Sequence, residues 1–135
     1  MQQVTIFALL LLATCAFCSP MKPQVANKFI FDGQLHCGLG KQWCWTVKAY
    51  EDDGGIGQDD HLASASRCTT SADDHYHLLG YMDGDGDTND FYELYLHVAH
   101  TCTKNGTKEY SKHDLGFKPM HTKKTLYLEK NITLG

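Results

Sequence analysis

The residue types that could do chemistry in this chain are carboxylates on a glycine-rich loop, histidines on alternate positions of a strand, and a small set of cysteines. Asp83-Gly-Asp-Gly-Asp87 places Asp83, Asp85 and Asp87 on alternate positions, where their oxygens could converge on a hard cation such as calcium. As an EF-hand the loop fails, because its sixth position is Thr88 and its twelfth is Leu94, where that site needs Gly and Glu. Asp and Gly are also the ordinary turn residues, so a polar hairpin loop is the simpler reading. His75 and His77 would share one face of a strand and could hold a zinc or copper ion together, whereas His97 and His100 would not share a face. A structural metal site wants four ligands, and the sequence offers no third donor at matching spacing. The chain has eight histidines, so full protonation would turn its net charge of -4 positive. No cofactor is expected.

These groups need elements to position them, and the clearest is a hairpin from Trp43 to Cys68. Trp45, Val47 and Ala49 alternate with Thr46, Lys48 and Tyr50, the period of a half-buried strand. Glu51 to Asp60, rich in Gly and carboxylates, reads as a loop, and Leu62 to Ser66 as the return arm. A register in which partners sum to about 112 sets Tyr50 against Leu62 and Cys44 against Cys68. Directly opposed residues are close enough at Cα for a disulfide. Trp43 and Trp45 share a face, and packing inside is the favoured reading over an open aromatic patch.

The other strands follow the same logic. Phe29 to Cys37 alternates through Phe29, Phe31, Gly33, Leu35 and Cys37, and Thr69 to Asp74 reads as a turn. His75 to Tyr81 carries Tyr76, Leu78 and Gly80 on one face. Phe91 to His100 is the longest candidate; both of its faces are largely apolar, which places it inside a sheet. A short strand is expected around Lys108 to Ser111, irregular chain from Lys112 to His121, and one last strand from Thr125 to Leu134. No segment carries a 3.6-residue apolar stripe over three turns. About seven strands with turn signals between them predict an all-β antiparallel sandwich or barrel.

The chain opens with Met-Gln-Gln and a 15-residue apolar run, Val4 to Cys18. That is short for a membrane span, which needs about 20 residues. It suits a signal peptide over 1–18, cut after Cys18, leaving a single domain over 19–135 that is secreted and not membrane-spanning. Cleavage leaves Cys37, Cys44, Cys68 and Cys102, an even count that favours two disulfides. The hairpin register selects Cys44–Cys68, which leaves Cys37–Cys102. Asn105-Gly-Thr107 and Asn131-Ile-Thr133 are glycosylation sequons, so Asn105 and Asn131 are expected at the surface.

Charge is unevenly spread. Residues 20–100 hold 5 basic and 13 acidic side chains, net -8; residues 101–135 hold 7 and 3, net +4; the two sum to -4. A basic end could meet anionic lipid headgroups. Lysines that alternate with apolar residues also protect a sheet edge from unwanted pairing, which is the plainer reading.

The succession Gly33-Gln-Leu-His-Cys37, Val47-Lys-Ala-Tyr-Glu-Asp-Asp53, Asp59-Asp-His-Leu-Ala63 and Leu94-Tyr-Leu-His-Val-Ala-His-Thr-Cys102 resembles the transthyretin-like family of secreted nematode proteins, over about Phe29 to Leu134. The resemblance implies a transthyretin-like β-sandwich with an extracellular, non-enzymatic role. The sequence departs from that pattern at Asp73-Asp74-His75-Tyr76, where the family has Asp-Gly-x-Phe, and Cys44 and Cys68 form an extra pair. The transthyretin fold also hosts a 5-hydroxyisourate hydrolase that uses histidines, an arginine and a C-terminal Tyr-Arg-Gly-Ser. This chain ends Asn131-Ile-Thr-Leu-Gly135 and has one arginine, Arg67, so that activity is disfavoured. The expected function is an extracellular adaptor or carrier for a lipid surface, an apolar small ligand or a protein receptor. A calcium-dependent module on Asp83 to Asp87 is the alternative. No nucleic-acid partner is expected, and pairing of an exposed last strand with a second copy is a route to a homodimer.

Overall fold

The computed structural model describes residues 27–54, 58–82, 91–119 and 125–135. The segment read as a signal peptide and the Asp83, Asp85, Asp87 loop lie outside the described residues. Among the described residues, eight strands make two four-stranded sheets: β1 (Asn27–Cys37), β2 (Trp43–Glu51), β3 (Asp60–Thr69), β4 (Asp73–Met82), β5 (Phe91–His100), β6 (Glu109–Pro119), β7 (Thr125–Glu129) and β8 (Ile132–Leu134). One sheet runs β4-β1-β7, with β8 also paired to β1; the other runs β3-β2-β5-β6. No helix occurs among the described residues.

Alternation along β1, β2 and β5 produces this architecture. Phe29, Phe31 and Leu35 of β1 meet Trp43, Trp45, Val47 and Ala49 of β2 and Tyr92, Leu94, Leu96 and Val98 of β5 in one buried core. Phe29 sets its ring edge-on to Tyr92 at 5.0 Å between centroids, joining the two sheets. Each such large side chain, fully buried, contributes roughly 1.5–3 kcal/mol. The tryptophans are core, and each has a partner for its ring N–H: Trp43 Nε1 donates to the Ser71 carbonyl at 2.8 Å, Trp45 Nε1 to Asp74 Oδ2 at 2.8 Å. Burial without those acceptors would cost about 1–3 kcal/mol for each donor.

The structure joins Cys44 to Cys68 across β2 and β3, and Cys37 at the end of β1 to Cys102 just past β5. Register sums of 112 hold from Cys44 opposite Cys68 to Ala49 opposite Ala63. A bulge then shifts the pairing, so Tyr50 faces His61 and not Leu62. Leu62, released from the ladder, packs against the core.

Four further expectations are corrected. The described residues form eight strands where about seven were expected, and the sheets are not antiparallel throughout, because β7 and β8 pair parallel to β1. The expected single last strand is broken at Lys130-Asn131, although both halves keep one register: Asp32 faces Glu129, and Leu35 faces Ile132. The break sits opposite Gly33, where the Lys130 carbonyl presses so close that a Cβ on Gly33 would fall 2.0 Å from its oxygen. The Tyr76 hydroxyl donates to that carbonyl at 2.6 Å, and the Lys130 N–H donates to the Asp32 carbonyl at 3.0 Å. The supposedly irregular stretch after Ser111 belongs to β6, an 11-residue edge strand on β5. Its register shifts between Glu93 and Tyr95, and Gly116 takes φ 77°, which L side chains rarely adopt. The turn expected over Thr69 to Asp74 is shorter, since β3 runs through Thr69 and β4 begins at Asp73.

Candidate functional site

With the inward residues of β2 and β5 committed to the core, their neighbours are forced onto the outer face of the β3-β2-β5-β6 sheet. Lys48 and Tyr50 of β2 stand beside His97 and Tyr95 of β5. β6 adds Lys112 opposite His97 and Tyr110 opposite Ala99. The side chains stack across the strands. Tyr50 and Tyr95 lie nearly parallel at 5.3 Å, and His61 of β3 meets Tyr50 edge-on at 5.2 Å. Lys112 Nζ sits 4.0 Å above the Tyr95 ring, a cation–π geometry, and 3.4 Å from Asp52 Oδ2. The His97 ring stacks on Tyr110 at 5.7 Å, with Lys108 Nζ 5.9 Å from the Tyr110 ring.

The Tyr95 hydroxyl donates to Asp59 Oδ2 at 2.6 Å. Burial, then that carboxylate, push its pKa well above the usual phenol value, so the group remains a donor. A cleft of about 320 Å³ opens beside it, lined by Asp52, Glu93, Tyr95, Lys112, Asp114 and Phe117. Phe117, which lines the cleft, is 68% exposed, and Tyr110, farther along β6, is 62% exposed. The array is suited to binding: flat rings hold cations at a fixed height over a rigid sheet, and two of its acids, Asp52 and Asp59, are occupied by a lysine and a phenol.

The carboxylates flanking the β2–β3 loop divide by strand alternation. Asp52 and Asp59 serve the aromatic array, while Glu51, Asp53 and Asp60 bring one oxygen each within 4.8 Å of one another. Glu51 is fully buried, and its Oε1 accepts from the Glu93 N–H at 3.0 Å. Sequence reasoning looked for an acidic cation site at Asp83 to Asp87 and missed this trio. Its signal was present as the runs Glu51-Asp-Asp53 and Asp59-Asp60 at the two ends of one hairpin loop.

The remaining residues singled out from sequence are dispersed. Asn105 lies exposed in a turn. Asn131 is exposed at the β7–β8 joint, where its Oδ1 accepts from the Gln34 N–H at 2.8 Å. His97 faces outward, whereas His100 is buried and paired with Trp45 in the β2–β5 ladder, so the two do indeed occupy different faces. His75 and His77 lie on the outer face of the opposite sheet, together. On β6, Ser111 Oγ lies 2.8 Å from His113 Nε2, a contact between side chains two positions apart on one strand. No helix among the described residues is long and apolar enough to cross a membrane.

Comparison with known proteins places this geometry among relatives. A family model described as Caenorhabditis elegans protein of unknown function (DUF870) matches residues 32–134. The uncharacterized protein B0416.7 of Caenorhabditis elegans is 32% identical over 79 residues, a stretch that covers 58% of this chain and 58% of that protein. Among solved structures, a 9R-lipoxygenase from Cyanothece overlaps 84% of this chain and 17% of that enzyme, at 18% identity and a TM-score of 0.39, too low to carry an argument.

Proposed function

We propose that this chain, which belongs to the DUF870 family of Caenorhabditis elegans proteins of unknown function, is a secreted, non-enzymatic, transthyretin-like β-sandwich that binds an anionic lipid surface through the outer face of the β3-β2-β5-β6 sheet. The carrying observation is the meeting of exposed rings and lysines on β6 and just before it: Tyr110 and Phe117 of β6 project near Lys112 of the same strand and Lys108 immediately preceding it. Rings of this kind settle at the depth of lipid headgroups, and each nearby lysine adds about 1 kcal/mol of attraction to an anionic leaflet. The basic end of the chain, net +4 over residues 101–135, supplies these lysines. The filled interior supports a surface binder over an enclosed carrier, since Phe29, Phe31, Val47, Tyr92 and Leu96 are all fully buried between the sheets. Two disulfides suit an extracellular setting.

Co-sedimentation with vesicles tests the proposal. Retention is expected on phosphatidylserine vesicles and not on phosphatidylcholine vesicles, falling as salt rises. Phe117→Ala with Tyr110→Ala should weaken retention at every salt concentration, and Lys112→Ala should flatten the salt dependence. Failure of the wild-type chain to sediment with phosphatidylserine at 50 mM salt (about a 14 Å screening length) would discard the lipid reading. Calcium dependence is a second reading, favoured by the convergence of Glu51, Asp53 and Asp60. Calorimetric titration of calcium into wild type and Asp60→Asn decides it, a wild-type heat that the variant lacks being the supporting result.

A further inference from the structure

The β4-β1-β7 sheet presents a different chemistry on its outer face. Strand alternation turns Asp73, His75 and His77 of β4 outward, and the antiparallel register sets Asp32, Gln34 and His36 of β1 against them in the order Asp32–His77, Gln34–His75, His36–Asp73. Three imidazoles and two carboxylates therefore share one surface of two adjacent strands. Asp32 is the hub: its Oδ1 lies 2.5 Å from His75 Nε2 and its Oδ2 2.9 Å from His77 Nδ1. The sequence offered the two histidines without a third donor; the register of β1 provides it from a residue more than forty positions away.

We propose that His75, His77 and Asp32 form a binding site for a divalent transition metal of the zinc or copper(II) type. Two imidazole nitrogens and one carboxylate oxygen are the donor set that such ions prefer over calcium or magnesium, which take oxygen ligands. The three donors project from neighbouring strands of one sheet, and β1 is its central strand, hydrogen-bonded to β4 on one side and to β7 and β8 on the other. The backbone positions are therefore fixed before any ion arrives.

Each ring nitrogen here donates its N–H to an Asp32 oxygen, because an ionised carboxylate can only accept. Metal–ligand bonds of about 2.0–2.1 Å at tetrahedral angles separate neighbouring donors by about 3.3 Å. The two nitrogens meet different oxygens of Asp32, and the three donor atoms do not all lie within 4.8 Å of one another, so metal binding requires both rings to turn inward onto one point. Both rings can do so, because the His75 and His77 side chains are 62% and 59% exposed. Three protein donors leave at least one coordination position open to solvent or to an external ligand. His36, hydrogen-bonded to Asp73 at 2.7 Å on the same face, is the nearest further imidazole along β1.

Isothermal titration of zinc and, separately, copper(II) into the tag-free, disulfide-bonded full chain tests the site. One ion should bind per chain. His75→Asn with His77→Asn should weaken binding at least tenfold, and so should Asp32→Asn. His61→Asn with His97→Asn, on the other sheet, should leave it unchanged. Thermal melts of every variant establish that it is folded, and a folded double variant with wild-type affinity would overturn the assignment. Absence of a binding isotherm for both ions at 100 µM protein would overturn it as well. A lipid-binding failure on the opposite sheet leaves this result untouched, because the two faces share no side chain.

Discussion

The two long edges of the sandwich are built differently. Along the β3–β4 edge the sheets are sealed. Asp74 accepts from Trp45 Nε1 at 2.8 Å and holds Arg67 at 3.3 Å, and Leu62 fills the space over Gly80, where an added Cβ would come within 3.1 Å. Along the β6–β7 edge they part. A cleft of about 230 Å³ runs between Asp114, Leu115 and Lys118 on one side and Tyr127 to Lys130 on the other. Leu115 and Leu126 are only partly buried there, and Tyr127 is 77% exposed. The difference follows from strand length and connection. β3 and β4 are ten residues each and consecutive, so a tight turn brings one sheet down onto the other. β7 and β8 are five and three residues, both committed to β1, and they cannot cover an 11-residue β6. Sealing an edge thus takes a charged cap over a buried ring, and leaving it open preserves an edge strand free to present its lysines and aromatics.

The comparison can be broken from the sealed side first. Replacing Cys44 and Cys68 by Ala removes a cross-link spanning 24 residues, which should lower stability by about 3.5 kcal/mol on the chain-entropy account, read as a shift in the urea midpoint at unchanged m. Gly33→Ala, under the β7–β8 joint, should cost roughly 3 kcal/mol, because the obstacle is the Lys130 backbone and not a movable side chain. Loss of hydrogen-exchange protection should then concentrate in β7 and β8, and uniform loss over both sheets would contradict this. Asp74→Ala should cost about 2 kcal/mol by leaving the buried Trp45 N–H without its acceptor. Leu115→Ala on the open edge should cost only about 1 kcal/mol, since its side chain is only partly buried. Equal losses in these two variants would mean that the edges are energetically alike.

The smallest expected effect is a dependence on pH. Burial pushes the His100 and His113 imidazoles below their usual pKa, with Glu109 opposing it at His100 and Lys130 and His100 reinforcing it at His113, against Asp114. A depressed histidine favours folding above the unfolded value of about 6.5 and loses that contribution as pH falls through it, because the unfolded chain then binds more protons. Stability should decline between pH 7 and pH 5, and His100→Gln with His113→Gln should shrink that decline. An unaltered slope in the double variant would assign it to other groups.

Strong alternation made much of the fold legible. Phe29 to Cys37 and Phe91 to His100 appear as strands in the sequence because their apolar residues fall on alternate positions, and a half-buried sheet admits little else. The Cys44–Cys68 register was legible because one hairpin fixes it locally. β6 was not legible. As an edge strand with one thinly covered face it needs few apolar residues, and Lys112 to Pro119 has only Leu115 and Phe117 among its non-proline apolar side chains.

Sequence alone therefore determined the all-β class, the inward set of β1, β2 and β5 and the pairing of Cys44 with Cys68, because each depends on neighbours a few residues apart or on one hairpin. Tertiary structure decided the parallel docking of β7 and β8 on β1, the seating of Lys112 over Tyr95 and the placement of Asp32 between His75 and His77. Those relations join residues from 17 to 97 positions apart, and local periodicity carries no information about which strand will lie beside which.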